Sequence, residues 1–213
     1  MTEWRRTRFR NPAGWLVFVG VLLLAFSLWV PWLSASRTAR TERRADRLAE
    51  VLLDATQGFE PPFDGFALEA ILARFFLLAE QRGVRSKDIV RAAAEAAAAD
   101  GGAEDAGWLL LQNKHYAFRL GPSPASVRET PSREAVPAME VLAWPLRRAG
   151  PGHATFFYPE NARRAFTRNL RNGYAGLAPE SSPAAAAGHR RTGFTGHRQA
   201  IYPGNDNERW LTY

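Results

Sequence analysis

The chain contains 213 residues, of which 46% are apolar, and its 28 lysines and arginines against 21 acidic residues give a formal net charge of +7. This length accommodates one ordinary domain with appendages, and the apolar share excludes wholesale disorder. Because the chain has no cysteine, a disulfide framework, a thiolate metal site and a cysteine nucleophile are all excluded.

The segment from Trp15 to Leu33 carries no charged residue. As a helix it measures about 28 Å, close to the roughly 30 Å of a bilayer's hydrocarbon core. Trp15 lies at one end and Trp29 and Trp32 lie at the other, and indole rings favour the membrane interface. Pro31 falls in the last turn, where a kink is expected. The sequence therefore predicts a transmembrane anchor, and a buried core helix is the alternative.

The orientation of this span depends on its flanks. The N-terminal arm (1–14) and the segment after the span are both rich in arginine, so the count of basic residues does not decide. A short basic arm directly before an apolar run is the usual export pattern, so we expect a cytoplasmic N-terminus. A cleaved signal peptide, with Ser34-Ala35-Ser36 as the peptidase site, is the alternative.

The residues after the span predict a continuation of the same helix. No proline or glycine occurs between residue 34 and Gly58, and Leu48, Val51 and Leu52 recur at the spacing of an amphipathic helix. We therefore predict one long helix from the span to residue 57. Its amphipathic stalk, 34–57, is expected to pack on the rest of the protein through these three side chains.

Two further helices are predicted in a helical segment over 58–105. The first, at about 66–82, has Asp64 as a candidate N-cap and Gly83 directly after its end. The second, at about 86–99, is indicated by its alanine content alone.

A small antiparallel sheet module is predicted over 106–180. Two hairpins are expected in it, one turning at Asn113-Lys114 and one around a turn rich in proline and glycine. A short helix or an irregular arm is expected after residue 161. The C-terminal arm, 181–213, is rich in Gly, Pro and Arg and is expected to pack back on the sheet. This order of elements predicts an α+β fold. The predicted strands are 108–112, 115–120, 139–144 and 154–158.

Three features of the sequence resemble the bacterial type IV pilin and type II secretion pseudopilin superfamily. A short basic leader ends in Gly14 directly before the apolar run, and that run passes through Pro31 into small and basic residues. The C-terminal portion has the progression HYAFRL, EVLAWP, GPGHATFFYPE and TRNLRNGY, which is similar to pilin-like sheet modules. Trp15 and Val19 stand where the superfamily usually has phenylalanine and glutamate, so the resemblance is to a divergent member.

The resemblance implies a single-pass protein of the bacterial inner membrane, with its N-terminus in the cytoplasm and its C-terminal domain in the periplasm or outside the cell. It implies a structural or assembly component of a secretion or pilus-type apparatus, with Gly14 and Trp15 as the processing site. Its partners would be membrane lipid and other protein subunits, including copies of itself. An accessory subunit that binds a larger membrane protein complex, without a filament role, is the alternative.

The sequence contains no HExxH, GxSxG, GxGxxG or P-loop pattern. We therefore expect no enzymatic activity, no small-molecule substrate, no cofactor and no metal. The oxygen-rich cluster from Asn205 to Glu208 has two interpretations, a calcium-binding site or a polar turn. We do not expect nucleic acid as a partner, because lipid headgroups account for the arginines that flank the span. The arginines that would form a nucleic-acid-binding face are Arg163, Arg164, Arg168 and Arg171.

Overall fold

The computed structural model of the protein describes residues 12–59, 63–92, 108–123, 139–160, 163–189, 191 and 200–213. Within these ranges two α-helices accompany eight strands that form one antiparallel sheet. The α+β class predicted from the sequence is therefore confirmed. The helices are α1 (Pro12–Ala55) and α2 (Gly65–Gln81). The strands are β1 (Val90–Arg91), β2 (Leu109–Gln112), β3 (Tyr116–Pro122), β4 (Met139–Pro145), β5 (Thr155–Pro159), β6 (Ala165–Thr167), β7 (Ile201–Pro203) and β8 (Arg209–Thr212).

α1 is one continuous helix of 44 residues, about 66 Å long at 1.5 Å per residue. It is continuous through Pro31, in agreement with the prediction of one long helix, and the kink expected at Pro31 stays a prediction. It ends just before Thr56, whose hydroxyl donates to the Leu53 carbonyl at 2.7 Å. Gly58 then takes a φ of +86°, a left-handed conformation that turns the chain and that residues with a Cβ rarely adopt.

α2 has the caps that the sequence predicts. Oδ1 of Asp64 accepts the Ala67 N–H at 2.7 Å, which satisfies one of the free donors of the first turn. Gly83, just beyond the C-cap, has a φ of +63°. The helix buries Leu68, Ile71, Phe75 and Ala79, at the periodicity of one helical face.

The strand order is β1-β2-β3-β4-β5-β6-β8-β7, and every neighbouring pair is antiparallel. Both predicted hairpins, β2–β3 and β4–β5, are confirmed. The prediction that the C-terminal arm packs back on the sheet is also confirmed, because β8 pairs with β6 and β7 pairs with β8 as the edge strand. We call the sheet, α2 and the part of α1 packed on them the head.

The sheet is buried on both faces, so every residue of β4 and β5 is buried, and buried and exposed side chains do not alternate. One face packs on α1 and α2. The other is covered by the segment 174–189, where the indole N–H of Trp144 donates to the Gly176 carbonyl at 2.7 Å. The hydroxyl of Tyr202 donates to the Gly188 carbonyl, also at 2.7 Å. The head thus has three layers: helices, sheet and an irregular C-terminal segment.

The predicted third helix is wrong in the part that the structure describes. Residues 86–92 form a turn, closed by the Ile89 N–H on the Ser86 carbonyl at 2.9 Å, followed by β1. Arg44 of α1 binds Asp88 in that turn, and pairing with β2 then extends the chain. These tertiary contacts outweigh the local helix propensity. The remainder of that predicted helix, 93–99, lies outside the described residues.

The stretch predicted as a short helix or an irregular arm contains a strand instead. Ala165 to Thr167 form β6, which pairs with β5 on one side and β8 on the other. Two neighbouring strands supply the hydrogen bonds that a helix would otherwise make internally, so the extended form is favoured.

The N-terminal part of α1 leaves the head at the end of the sheet where β2 turns into β3 and β4 into β5; we call this the neck end. Glu42 of α1 accepts the N–H groups of His153 and Ala154, in the β4–β5 turn, at 3.1 and 3.2 Å. Further along α1, Glu50 meets Arg164 at the opposite end of the sheet, at 3.1 Å. α1 therefore runs along the sheet from the neck end, and its earlier residues extend away from the head.

Candidate functional site: an exposed apolar helix and a basic neck

The apolar half of α1, residues 15–33, leaves its side chains uncovered. Every large apolar side chain from Trp15 to Trp32 is exposed, from 39% at Val19 to 74% at Leu16. Among the described residues, α1 is the one helix long and apolar enough to cross a membrane. The alternative of a buried core helix is wrong, because a core helix would be covered by its own domain. A surface this apolar is stable only when lipid or protein covers it.

The predicted anchor residues lie where the sequence places them along α1. Trp15, Trp29 and Trp32 are each more than half exposed, and Leu33 is half-buried at the entrance to the head. Pro31 cannot donate to the preceding turn, and its own carbonyl accepts the hydroxyl of the following serine, Ser34, at 2.8 Å. Hydroxyl groups bonded back to the helix in this way expose no free donor to an apolar environment.

The predicted processing pair, Gly14 and Trp15, lies in the first turns of α1. Processing at this bond stays a prediction. The arm before residue 12, with its arginines, lies outside the described residues.

The docked half of α1, residues 34–55, packs on the sheet and on α2. The predicted contact residues Leu48, Val51 and Leu52 are each at most 1% exposed and belong to the core cluster formed with β3, β4 and β5. Small side chains at Ala45 and Ala49 let the helix lie close to the sheet.

A row of carboxylates that the sequence analysis missed runs beside this apolar stripe. Glu42, Asp46 and Glu50 occur at four-residue spacing, so they lie along one side of the helix. Glu42 binds Arg168 at 3.1 Å in addition to its two backbone partners. Asp46 accepts the hydroxyl groups of Tyr158 and Tyr213. The i, i+4, i+8 spacing of acids was the available signal.

The two tyrosines that bind Asp46 have pKa values raised above the ordinary value of a tyrosine. Burial is the main cause that raises the pKa of both Tyr158 and Tyr213, and the hydrogen bond to the Asp46 carboxylate adds to it. The guanidinium of Arg164 lies over the Tyr158 ring, 5.6 Å from its centroid. Because Glu42, Asp46 and Glu50 each bind a partner on the sheet side, they fix the direction in which α1 leaves the head.

A groove of about 1230 Å³ opens at the neck end between α1 and the β4–β5 turn. The side chains that line it include the cations Arg37, Arg40 and Arg168. They also include the carboxylate of Glu42, which already binds Arg168 and two backbone N–H groups. His115 also faces the groove, and burial followed by the charge of Lys114 lowers its pKa, which leaves the imidazole neutral at pH 7. The groove presents positive charge suited to anionic groups.

The arginines considered for nucleic acid do not form one open face. Arg163 and Arg164 precede β6 and Arg168 and Arg171 follow it, so the two pairs lie at opposite ends of the sheet; Arg164 binds Glu50 and Arg168 binds Glu42. Arg171 donates to the Asn207 carbonyl at 2.7 Å, on the hairpin of β7 and β8.

The oxygen-rich cluster from Asn205 to Glu208 forms the turn between β7 and β8. Glu208 is 3% exposed, and its carboxylate accepts the Thr167 hydroxyl and the N–H groups of residues 170–172. Asp206 accepts the hydroxyl of Tyr174 at 2.7 Å and the indole N–H of Trp210 at 3.1 Å. Both carboxylates therefore accept hydrogen bonds from the protein itself, as the side chains of a polar turn do. Among the described residues, no three His, Asp or Glu side chains converge as metal ligands.

A second exposed apolar surface lies on α2. Phe66 is 84% and Leu77 is 55% exposed, and Ala73 lies between them on the same side of the helix. Phe76, next to Leu77 in the sequence, is also exposed. We call Phe66, Ala73, Phe76 and Leu77 the α2 stripe.

No protein-family model, no curated protein and no solved structure matches this chain. The resemblance to pilin-like proteins therefore stays a prediction that rests on the sequence features given above.

Proposed function

We propose that this protein is a single-span membrane component of a secretion or pilus-type apparatus, with a structural or assembly role. Its apolar half lies in the inner membrane, and its head is a pilin-like domain on the periplasmic or extracellular side. The observation that carries the proposal is the division of one continuous helix into an exposed apolar half and a half buried on an antiparallel sheet. Because the span and the packed half belong to one helix, the position of the span in the membrane determines where the head lies.

The α2 stripe supports a role in assembly with other protein subunits. A water-soluble head gains nothing from exposing Phe66 and Leu77 on the same helix, and exposed apolar patches of this kind are typical of protein interfaces. Copies of the chain itself are included among the expected partners, because the apolar half can pack against another such helix as well as against lipid.

The absence of cysteine makes single-cysteine variants a clean test of the topology. Glu180, exposed on the head, and Thr2, in the N-terminal arm, are each replaced by cysteine and treated with a membrane-impermeant maleimide on intact spheroplasts. We expect labelling at position 180 and none at position 2 until the membrane is opened. Extraction of the full chain by alkaline carbonate, or labelling at position 2 alone, would contradict the proposed anchor and its orientation.

The assembly role is tested by crosslinking from the α2 stripe in living cells. A benzophenone maleimide is attached to Ala73→Cys, and Glu180→Cys is the matched control on an exposed surface outside the stripe. A ladder of multiples of the chain from position 73 supports a filament or self-assembled role. No adduct above the level of the control would show that the stripe is not an interface.

The second candidate is an accessory subunit of a larger membrane complex, without a filament role. Val19 favours it, because in pilin-like proteins the glutamate at this position pairs with the N-terminus of a neighbouring subunit. A single crosslinked product with one different protein would support it. N-terminal sequencing adds a second criterion: a mature chain that starts at Trp15 indicates prepilin-type processing, an intact Met1 indicates a plain anchor, and a start at Arg37 indicates a cleaved signal peptide.

A further inference from the structure

Five cationic side chains lie on segments at the neck end of the sheet, the end where α1 leaves the head. They lie on three separate segments: the β2–β3 turn, the β4–β5 turn and the loop after β6. All five are exposed, and we call them the basic rim. They are Lys114, Arg147, Arg148, Arg168 and Arg171.

The topology of the sheet brings these segments to one end. In an antiparallel meander, alternate turns lie at the same end, so the β2–β3 and β4–β5 turns and the chain leaving β6 all meet at the neck end. The neck groove confirms the proximity, since it is lined both by Val30 and Leu33 of the apolar half and by Ala149 and Pro151 of the β4–β5 turn.

The acidic groups near the rim offset only part of its charge, and each of them is buried or already hydrogen-bonded. Glu42 is 13% exposed and engaged by Arg168 and by two N–H groups. Glu208 is buried and accepts backbone N–H groups from the loop after β6. Asp88 is bound by Arg44; burial alone would raise its pKa, but that bond and the Arg44 charge outweigh burial and lower it.

One exposed apolar side chain lies on the same loop as two of the rim residues. Leu170 is 88% exposed and lies between Arg168 and Arg171. Its exposure is built into the fold, because its N–H donates to Glu208 at 3.0 Å and Asn169 before it takes a left-handed φ of 59°. An apolar tip among cations is the composition that suits a bilayer interface, where the side chain enters the acyl boundary and the cations meet phosphate.

The distance along α1 fits contact with a membrane surface. Glu42, at the level of the β4–β5 turn, lies nine residues after Leu33, or about 13 Å along the helix. The headgroup region adds roughly 5–8 Å to each side of the hydrocarbon core, and the surface potential extends over a Debye length of about 10 Å. The rim therefore lies within the field of the headgroups.

We infer that the neck end docks the head on the surface of an anionic bilayer, with the basic rim on lipid phosphates and Leu170 at the interface. The inference rests on the proposed function in one respect, the insertion of the apolar half in the membrane. Docking of this kind holds the head at a defined tilt to the membrane surface.

The test measures the depth of Leu170 in reconstituted full-length protein. Leu170→Cys carries an environment-sensitive fluorophore, and vesicles contain nitroxide-labelled lipid as quencher, with phosphatidylcholine alone or with about one third phosphatidylglycerol. Gln57→Cys, exposed in the turn just after α1, at the opposite end of the sheet from the neck end, is the control that should not be quenched. Leu23→Cys, in the apolar half, reports insertion and should be quenched in both lipids.

Docking is expected to quench position 170 in the anionic vesicles and much less in the neutral ones. Each basic residue near an anionic surface is worth about 1 kcal/mol, or about a fivefold change in the ratio of docked to free heads. Replacing Lys114 and Arg147 by glutamine should lower that ratio about thirtyfold, and 1 M salt should weaken it as well. Both side chains are exposed, so the fold is retained, which circular dichroism checks.

A charge-matched variant separates the rim from the net charge of the protein. Arg74 and Arg163 lie away from the neck end, and their replacement by glutamine removes the same charge while leaving the quenching at position 170 unchanged. If position 170 is quenched no more than position 57 in anionic vesicles while position 23 is quenched, the docking inference is overturned and the anchor stands. If position 23 is not quenched either, the proposed anchor itself fails.

Discussion

The strongest test of the architecture compares the same substitution on the two halves of α1. Leu52 is 1% exposed and Leu28 is 68% exposed, although both belong to one continuous helix. Replacing Leu52 by alanine removes three buried carbon atoms, worth about 0.8 kcal/mol each, and leaves a cavity between α1, α2 and the sheet. The expected loss is therefore about 3 kcal/mol of head stability, a large share of the 5–15 kcal/mol typical of a domain.

The measurement is thermal unfolding of the full chain in a mild detergent, followed by near-ultraviolet circular dichroism of the buried Trp144 and Trp210. Leu52→Ala should lower the melting temperature by about 6–12 °C, at 2–4 °C per kcal/mol for a domain of this size. Leu28→Ala should leave it unchanged, because its side chain contacts detergent rather than the head. Equal shifts for the two variants would refute the assignment of one half to the core and the other to an external apolar phase.

Three further predictions concern the head. Burial raises the pKa of Tyr158 above the ordinary 10.0, so the folded head retains a proton that the unfolded chain loses above pH 10. The stability of the head should therefore fall as the pH rises above 10. In Tyr158→Phe this fall, measured by urea denaturation, should be smaller. Glu140→Ala should lower the stability of the head by about 3 kcal/mol, because the buried carboxylate binds the Ala186 N–H. It should also speed proteolysis of the segment 182–189. The control Glu69→Ala, at an exposed ion pair, should lower the stability by less than about 1 kcal/mol in the same assay. Gly188→Ala would place a methyl group 2.3 Å from the ring of Phe157, so it should lower the melting temperature markedly, and an unchanged value would contradict the packing of this layer.

Local patterns determined the elements whose contacts are close in sequence. The uncharged run before Leu33, the apolar spacing of Leu48 and Leu52, and the N-cap at Asp64 each encode a feature within one or two turns of helix. The turn at Asn113 is of the same kind, since its side chain accepts two N–H groups within three residues. For these elements the stabilising partner is a neighbour along the chain, so the sequence was sufficient.

The same local reasoning failed where a distant partner decides the conformation. Residues 86–92 became a turn and a strand because Arg44, on another element, binds Asp88 and because β2 offers an edge. β6 and the β7–β8 hairpin are too short to show a clear alternation, and each exists because its neighbours complete the hydrogen bonds.

The sequence by itself determined that the chain carries one long, partly apolar helix ahead of an antiparallel sheet. Only the tertiary structure decided which end of the sheet this helix leaves, because Glu42 and His153 are separated by 111 positions and Asp46 and Tyr213 by 167. The same strand order brings the cations of the two turns and of the loop after β6 to the neck end, and it leaves Leu170 exposed on that loop. Side chains that are far apart in the chain acquire a common surface only through the order of the strands.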